Sequence, residues 1–357
     1  MRKLKIAFVY SKRYSFYPPD YLGRGLGGTE STFVLLVKAL AKLGHSVEVY
    51  NCCFKPGIYD GVTWSPLYDL DVAKEYDVFI SLRFLETFQG KFPKAAIRGV
   101  WIHDEALAGA TDFDKKGIIN TWISVSETQK ASILRNEEIA EKNWFVTRNA
   151  YDEDLYTSSL KKIPKIRNQA IYCSAPDRGL KYLLKMWQRI KSEVPDASLV
   201  VTGSFALWGT SDEENNRMFG DTYLSASSLK DVKIMQRVSK EELSKLQAES
   251  EVMLYPTDFN EMFCISALEC FAAGTPIISS ARAAMNERVK TGENGYLISG
   301  SPFSEEYQKE FISTAIRFFR DEDQKKQFSK NAFDASSGQD FESVAKEWEA
   351  EFIKRLQ

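Results

Sequence analysis

Histidine is the scarcest chemical resource in this chain, with two residues, His45 and His103, among 357. A zinc site built on several imidazoles is therefore poorly supported. Cysteine is sparse too: Cys52, Cys53, Cys173, Cys264 and Cys270 make an odd number, form no C-x-x-C pair and sit mostly in apolar runs. That pattern predicts buried, reduced thiols rather than a disulfide framework. No apolar run reaches the 18 residues needed to cross a bilayer. The opening MRKLKIAFVY is too short an apolar stretch for a signal peptide and reads as a first strand. The expectation is a cytoplasmic protein with at most peripheral membrane contact. Charge of one sign is missing as well: a net charge of −2 and a pI near 6.0 give no global pull toward nucleic acid.

What is present is alternation. The segments 4–10, 45–50, 77–81, 98–102, 121–126 and 144–149 are short and rich in β-branched and aromatic residues, and the first two flank a helical period over 29–43. A polar stretch at 152–169 interrupts the pattern, which then restarts with strands at 170–174, 197–203, 232–235, 252–256, 276–280 and 296–299. Helices are expected at 179–193, 240–249, 266–273, about 303–333 and 340–356, whereas 207–228 reads as a long polar excursion. Buried strands alternating with helices predict parallel sheets covered on both faces. Two doubly wound α/β domains are the predicted architecture, one over residues 1–155 and the other over 160–335.

Open α/β sheets bind ligands beyond the carboxyl ends of their strands, and the candidate residues all occupy such places. GRGLGGTE (23–30) contains a formal G-x-G-x-x-G at Gly23, Gly25 and Gly28, but it lies too far from the first strand for a dinucleotide fingerprint. It reads either as a phosphate or acceptor contact through Gly27 and Gly28, or as a plain capped loop. His103 follows an apolar strand, placed to meet a sugar hydroxyl or to serve only the structure; His45 reads as structural. Arg178 stands where a strand passes through Pro176 into a helix, a position that capping does not explain for a cation. Lys181, three residues on, is the weaker candidate. In EMFCISALECFAAGTPIISS (261–280), Glu261 and Glu269 flank the start of a short apolar helix. Such a start offers unpaired N–H groups to an anion. Glu269 lies between Leu268 and Cys270, where a carboxylate is costly unless it is paired or bound to hydroxyls. Three D-x-D triplets, at 69–71, 152–154 and 321–323, read as caps in turns rather than as metal ligands.

GGTE, WIHD, SAPDRG, VSKEEL, LYPTDFNEMF, ALECFAAGTPII and ENGYLI, in that order, resemble glycosyltransferase family 4 (glycosyl transferases group 1). The resemblance implies the GT-B fold: two doubly wound Rossmann-like domains facing a central cleft, with the last helix, about 340–357, returning to the N-terminal domain. It implies a retaining, metal-independent transfer of a hexosyl unit from a UDP-, GDP- or ADP-sugar to a glycan, lipid-linked or protein acceptor. The setting would be polysaccharide or glycoconjugate synthesis, and no cofactor is expected beyond the donor substrate. By the same resemblance, His103 and Glu261 would act at the reacting sugar. Gly27, Gly28, Arg178, Lys181 and the 263–265 stretch (Phe263, Cys264, Ile265) would hold the diphosphate, and Glu269 the ribose. The acceptor would be met by N-terminal loops such as 11–28 and 52–66. Three departures stand out: Cys173 where many members have an Arg, and Cys264 and Gln236 where many have Gly. A GT-B phosphorylase, a nucleotide-sugar epimerase and a non-catalytic nucleotide-sugar-binding protein are the alternative readings.

Overall fold

The computed structural model describes residues 2–12, 14–157 and 159–357, without the side chains of Lys161, Ala206 and Trp208. The chain divides into two compact units. One comprises residues 1–21, 26–150 and 339–357, the other 22–25 and 151–338.

The first unit runs β1 (Lys5–Val9), α1 (Gly28–Lys42), β2 (Ser46–Asn51), β3 (Gly57–Tyr59), β4 (Val62–Pro66), β5 (Glu75–Leu82), β6 (Lys94–Trp101), α2 (Ala110–Lys115), β7 (Thr121–Ser124), α3 (Glu127–Ile133) and β8 (Trp144–Val146). The strands form one sheet in the order β3-β4-β2-β1-β5-β6-β7-β8, parallel except for the β3–β4 hairpin. Burial on both faces explains why β1, β5 and β7 read as nearly continuous apolar runs. The segment 52–66, expected as a loop, instead carries this hairpin, whose edge strand has only three residues. The C-terminal helix, Phe341–Arg355, packs in this unit against α1. Its Phe341, Val344, Trp348 and Phe352 are all buried, and the Trp348 indole donates to Thr147 Oγ1 at 3.1 Å. His45 is structural: its Nδ1 accepts from the Leu4 amide at 3.3 Å, and its Nε2 lies 3.3 Å from Glu349 on the C-terminal helix.

The second unit runs β9 (Gln169–Cys173), α4 (Leu180–Glu193), β10 (Ser198–Thr202), α5 (Asp212–Ser227), β11 (Val232–Gln236), α6 (Lys240–Glu249), β12 (Val252–Tyr255), α7 (Ile265–Ala272), β13 (Ile277–Ser280), α8 (Met285–Arg288), β14 (Gly295–Ile298), α9 (Glu305–Arg320) and α10 (Glu322–Ser336); the C-terminal helix is α11. All six strands are parallel, in the order β11-β10-β9-β12-β13-β14. The expected excursion at 207–228 is corrected here: most of it is the helix α5, N-capped by Ser211. Only Asn215, Tyr223 and Ala226 of that helix are buried, so no apolar stripe announces it.

In both sheets the strand order reverses once. The chain builds outward from β1 in one direction and then restarts at β5; in the second unit it builds from β9 and restarts at β12. The connections leaving β9 and β12 therefore run in opposite directions along the strand order, and such a reversal point is the usual place for a ligand in open α/β sheets.

Candidate functional site

In the second unit the reversal point brings Arg178 and Glu261 together. Arg178 ends a single 3-10 turn (Pro176–Arg178) on the loop after β9, and Glu261 lies on the loop after β12. Gly179 is what allows the two loops to touch. Its φ is +130°, and a Cβ there would fall 2.2 Å from the Pro256 carbonyl oxygen. The Arg178 guanidinium donates from Nη1 to Glu261 Oε1 at 3.0 Å and lies over the Phe259 ring, 4.1 Å from its centroid. The hydroxyl of Tyr255, the last residue of β12, donates to the same carboxylate oxygen at 2.6 Å. Burial alone would lower the Arg178 pKa, but the charge and hydrogen bond of Glu261, together with Tyr255 and Asp177, outweigh it and hold the guanidinium firmly protonated. Burial, with Glu261 adding to it, pushes the Tyr255 hydroxyl well above its usual range, so it remains a donor.

Glu269 lies on α7 and is also buried. Its partner is Lys240, the first residue of α6, whose Nζ donates to Glu269 Oε1 at 2.7 Å. The carboxylate thus escapes the cost of isolated burial through an ion pair. Between the two acids the chain enters α7 through Cys264 in the left-handed region, φ +65°. Gln236, at the end of β11, has φ +48°. The resemblance marks both as usual glycine positions, and the backbone shows why glycine suits them. The amide N–H groups of Phe263, Cys264 and Ile265 make no hydrogen bond among the described residues, as expected ahead of a helix. Lys181 stands apart from this group. It is exposed, and its Nζ lies over the rings of Tyr182 and Phe303, 4.9 and 5.5 Å from their centroids.

In the first unit, Gly27 caps α1 and Gly28 is its first residue; neither needs a positive φ. Three residues into that helix start is Glu30, fully buried, accepting the Tyr10 hydroxyl at 2.7 Å. His103 follows β6 with its ring 4.7 Å from that of Trp101, and its Nε2 has no hydrogen-bond partner among the described residues. Burial, assisted by the nearby Arg83 charge, drives its pKa down to about 3, so the imidazole is neutral at ordinary pH. Arg83 itself has φ +73° and donates from Nε to Asp104 Oδ2 at 2.8 Å.

Sequence reasoning passed over Tyr255, Lys240, Glu30 and Arg83. Lys240 was detectable: a lysine opening a helix opposes the helix dipole, the same anomaly that singled out Arg178. The D-x-D triplets act as local caps. Asp71 accepts from the Ala73 amide at 2.9 Å, Asp152 from the Asp154 amide at 3.1 Å, and Asp321 caps α10. All five cysteines are free thiols.

Two Rossmann-like units with this strand order define the fold class as GT-B, and comparison with solved structures agrees. A sucrose-phosphate synthase from Thermosynechococcus elongatus superposes with a TM-score of 0.73 at 15% identity, covering 99% of each chain. Anabaena HepE, solved in complex with UDP-glucose, superposes with a TM-score of 0.69 at 15% identity, over 98% of this chain and 100% of that one. At such identities the likeness is one of fold. Residues 163–335, nearly all of the second unit, match the model of the family described as Glycosyl transferases group 1. Spore coat protein SA of Bacillus subtilis is 31% identical over 121 residues, 34% of this chain and 32% of that protein. The chain spans only 32% and 37% of the length of the curated relatives it matches. No described helix is long and apolar enough to cross a membrane.

Proposed function

We propose that the chain is a glycosyltransferase that moves a sugar from a nucleoside diphosphate sugar to an acceptor hydroxyl. The observation that carries this reading is the Arg178–Glu261 pair, held at the strand-order reversal beside the unpaired amides of residues 263–265. The match of residues 163–335 to a glycosyltransferase family model supports it. So does the UDP-glucose complex of a fold neighbour.

A leaving diphosphate gains negative charge as the glycosidic bond breaks. Fixed N–H dipoles at a helix start and a guanidinium that never deprotonates stabilise that charge without reorganising. Arg178 serves as the cation, and the Phe263, Cys264 and Ile265 amides as the dipoles. Glu261, held by Arg178 and Tyr255, presents its carboxylate to hydroxyls of the donor sugar. Glu269, with Lys240 steadying it, receives the ribose hydroxyls. Gly27, Gly28 and the neutral His103 are proposed as donor contacts, His103 as an acceptor or donor of a hydroxyl hydrogen bond rather than as an acid. Lys181 is left in a peripheral role. In this reading the transfer is metal-independent and retains configuration, the leaving phosphate assisting front-face attack. The hexosyl donor and the glycan, lipid-linked or protein acceptor belong to the same reading.

A thermal-shift screen of UDP-, GDP- and ADP-sugars, run with and without EDTA, tests it. One donor family should raise the melting temperature in a concentration-dependent way. The absence of any shift, or a shift abolished by EDTA, would overturn the donor or the metal-independent part respectively.

A further inference from the structure

The peptide between Phe263 and Cys264 sits in a conflict that one residue resolves. Cys264 is held at φ +65°, a conformation that costs any residue with a Cβ. Rotating the 263–264 peptide plane by half a turn would move that φ by about 180° into the comfortable negative range. The rotation would also reverse the Cys264 N–H and take it from the side where the diphosphate is assigned. Cys264 has no glycine's freedom, so something must hold the strained state.

The segment 282–288 does so through three contacts with the loop after β12. The Ala284 amide donates to the Glu261 carbonyl at 2.9 Å. Arg282 Nε donates to Asn260 Oδ1 at 2.7 Å. Arg288 Nε donates to the Phe263 carbonyl at 3.2 Å, with its guanidinium over the Phe263 ring, 3.4 Å from the centroid. The last contact bears directly on the peptide in question. In a trans peptide the carbonyl and the following N–H point in opposite directions. A guanidinium fastened to the Phe263 oxygen therefore turns the Cys264 N–H away from α8. A charge-assisted hydrogen bond is among the stronger ones and suits the task.

We propose that Arg288 is a positioning residue of the diphosphate site: it holds the 263–264 peptide in its strained orientation so that the Cys264 N–H faces the phosphate. The ligand part rests on the glycosyltransferase reading above; the peptide-holding part stands without it. Arg288 acts through the peptide rather than by touching the donor, and Cys264 is where its action is read.

The test uses Arg288→Met, which keeps length and packing on Phe263 but removes the donor, with and without Cys264→Gly. Glycine adopts positive φ at no steric cost and so removes the drive to flip. The first measurement is a crystal structure of Arg288→Met, free of ligand. A Phe263 carbonyl rotated away and Cys264 at negative φ are expected; an unmoved peptide would overturn the proposal whatever the protein binds. The second is calorimetric titration with UDP, GDP and ADP, and with the matching nucleoside. Arg288→Met should weaken the diphosphate about tenfold, the scale of one charged hydrogen bond, with nucleoside affinity unchanged. Adding Cys264→Gly should restore most of the loss. Equal weakening of nucleoside and diphosphate, or no recovery in the double variant, would refute it. Failure of the unaltered protein to bind any nucleoside diphosphate would instead sink the donor reading, leaving the crystallographic result to decide on Arg288.

Discussion

Arg178 and Glu261 lie 83 positions apart in sequence and share a hydrogen bond of 3.0 Å, with Tyr255 completing the carboxylate's partners. The cation and the acid are thus one preassembled unit rather than two independent ligands. Arg178→Ala should therefore damage more than phosphate affinity, because it also releases Glu261. Turnover is expected to fall by at least about a hundredfold, the usual cost of losing a charged stabiliser of the transition state. Glu261→Gln keeps an oxygen that can accept from both Arg178 and Tyr255 but removes its charge, and should leave nucleoside diphosphate affinity within about threefold while lowering turnover. Steady-state kinetics of both variants checks this; equal losses in affinity and turnover for Glu261→Gln would contradict the assignment.

Glu269 and Lys240 form the second buried pair. Glu269→Ala is expected to weaken nucleoside binding by roughly 1–3 kcal/mol through lost charged hydrogen bonds. Ribonucleoside and 2′,3′-dideoxyribonucleoside should then bind the variant alike, because the hydroxyls no longer have their acceptor. Calorimetric titration with both ligands decides it, and a preserved preference for the ribose would remove Glu269 from that role.

His103 couples stability to pH. Its folded pKa, about 3, lies below the ordinary value of 6.5. Between those values the unfolded chain binds the proton and the folded chain does not, so stability falls as pH drops from 6.5 toward 3. Between pH 7.5 and 5 the loss from this residue is on the order of 1–2 kcal/mol. Urea denaturation at both pH values should show a shallower decline for His103→Gln than for the unaltered chain. Identical slopes would mean that His103 titrates in the fold as it does in the unfolded chain. Within the functional reading, His103→Ala should lower turnover more than donor affinity.

Gly179 sets the approach of the two loops. Gly179→Ala places a Cβ 2.2 Å from the Pro256 oxygen at φ +130°, and a loss on the order of 2–4 kcal/mol is expected. Gly220 is the control, since a Cβ there meets nothing within 4 Å inside α5. Gly220→Ala should raise stability by about 0.5–1 kcal/mol through helix propensity. Chemical denaturation of the two variants gives both signs.

The strands were legible because they are buried on both faces: β1, β5 and β12 are built largely of Ile, Val, Phe and Leu, and β9 and β13 carry Ile among small or aromatic residues. The helix α5 was not, because DEENNRMFGDTYLSAS offers few buried positions and carries a mid-helix glycine. The β3–β4 hairpin hid because its edge strand has three residues and one exposed apolar side chain, Ile58. For the site, residue types at strand ends were readable and pairings were not. Arg178 and Lys240 both oppose a helix dipole, but only the folded chain shows that each answers a buried glutamate. Lys181, the weaker candidate three residues beyond Arg178, is turned outward by α4 onto Tyr182 and Phe303.

The central claim is that the Arg178–Glu261 pair at the strand-order reversal of the second unit binds the diphosphate of a sugar donor. Its most direct test is calorimetric titration of the full chain, in EDTA, with UDP, GDP and ADP and with the corresponding nucleosides, for the unaltered protein and Arg178→Ala. The account predicts one diphosphate that binds clearly tighter than its nucleoside, with that advantage lost in Arg178→Ala and nucleoside affinity retained. A diphosphate that binds no better than its nucleoside, or an advantage that survives the loss of Arg178, would contradict it.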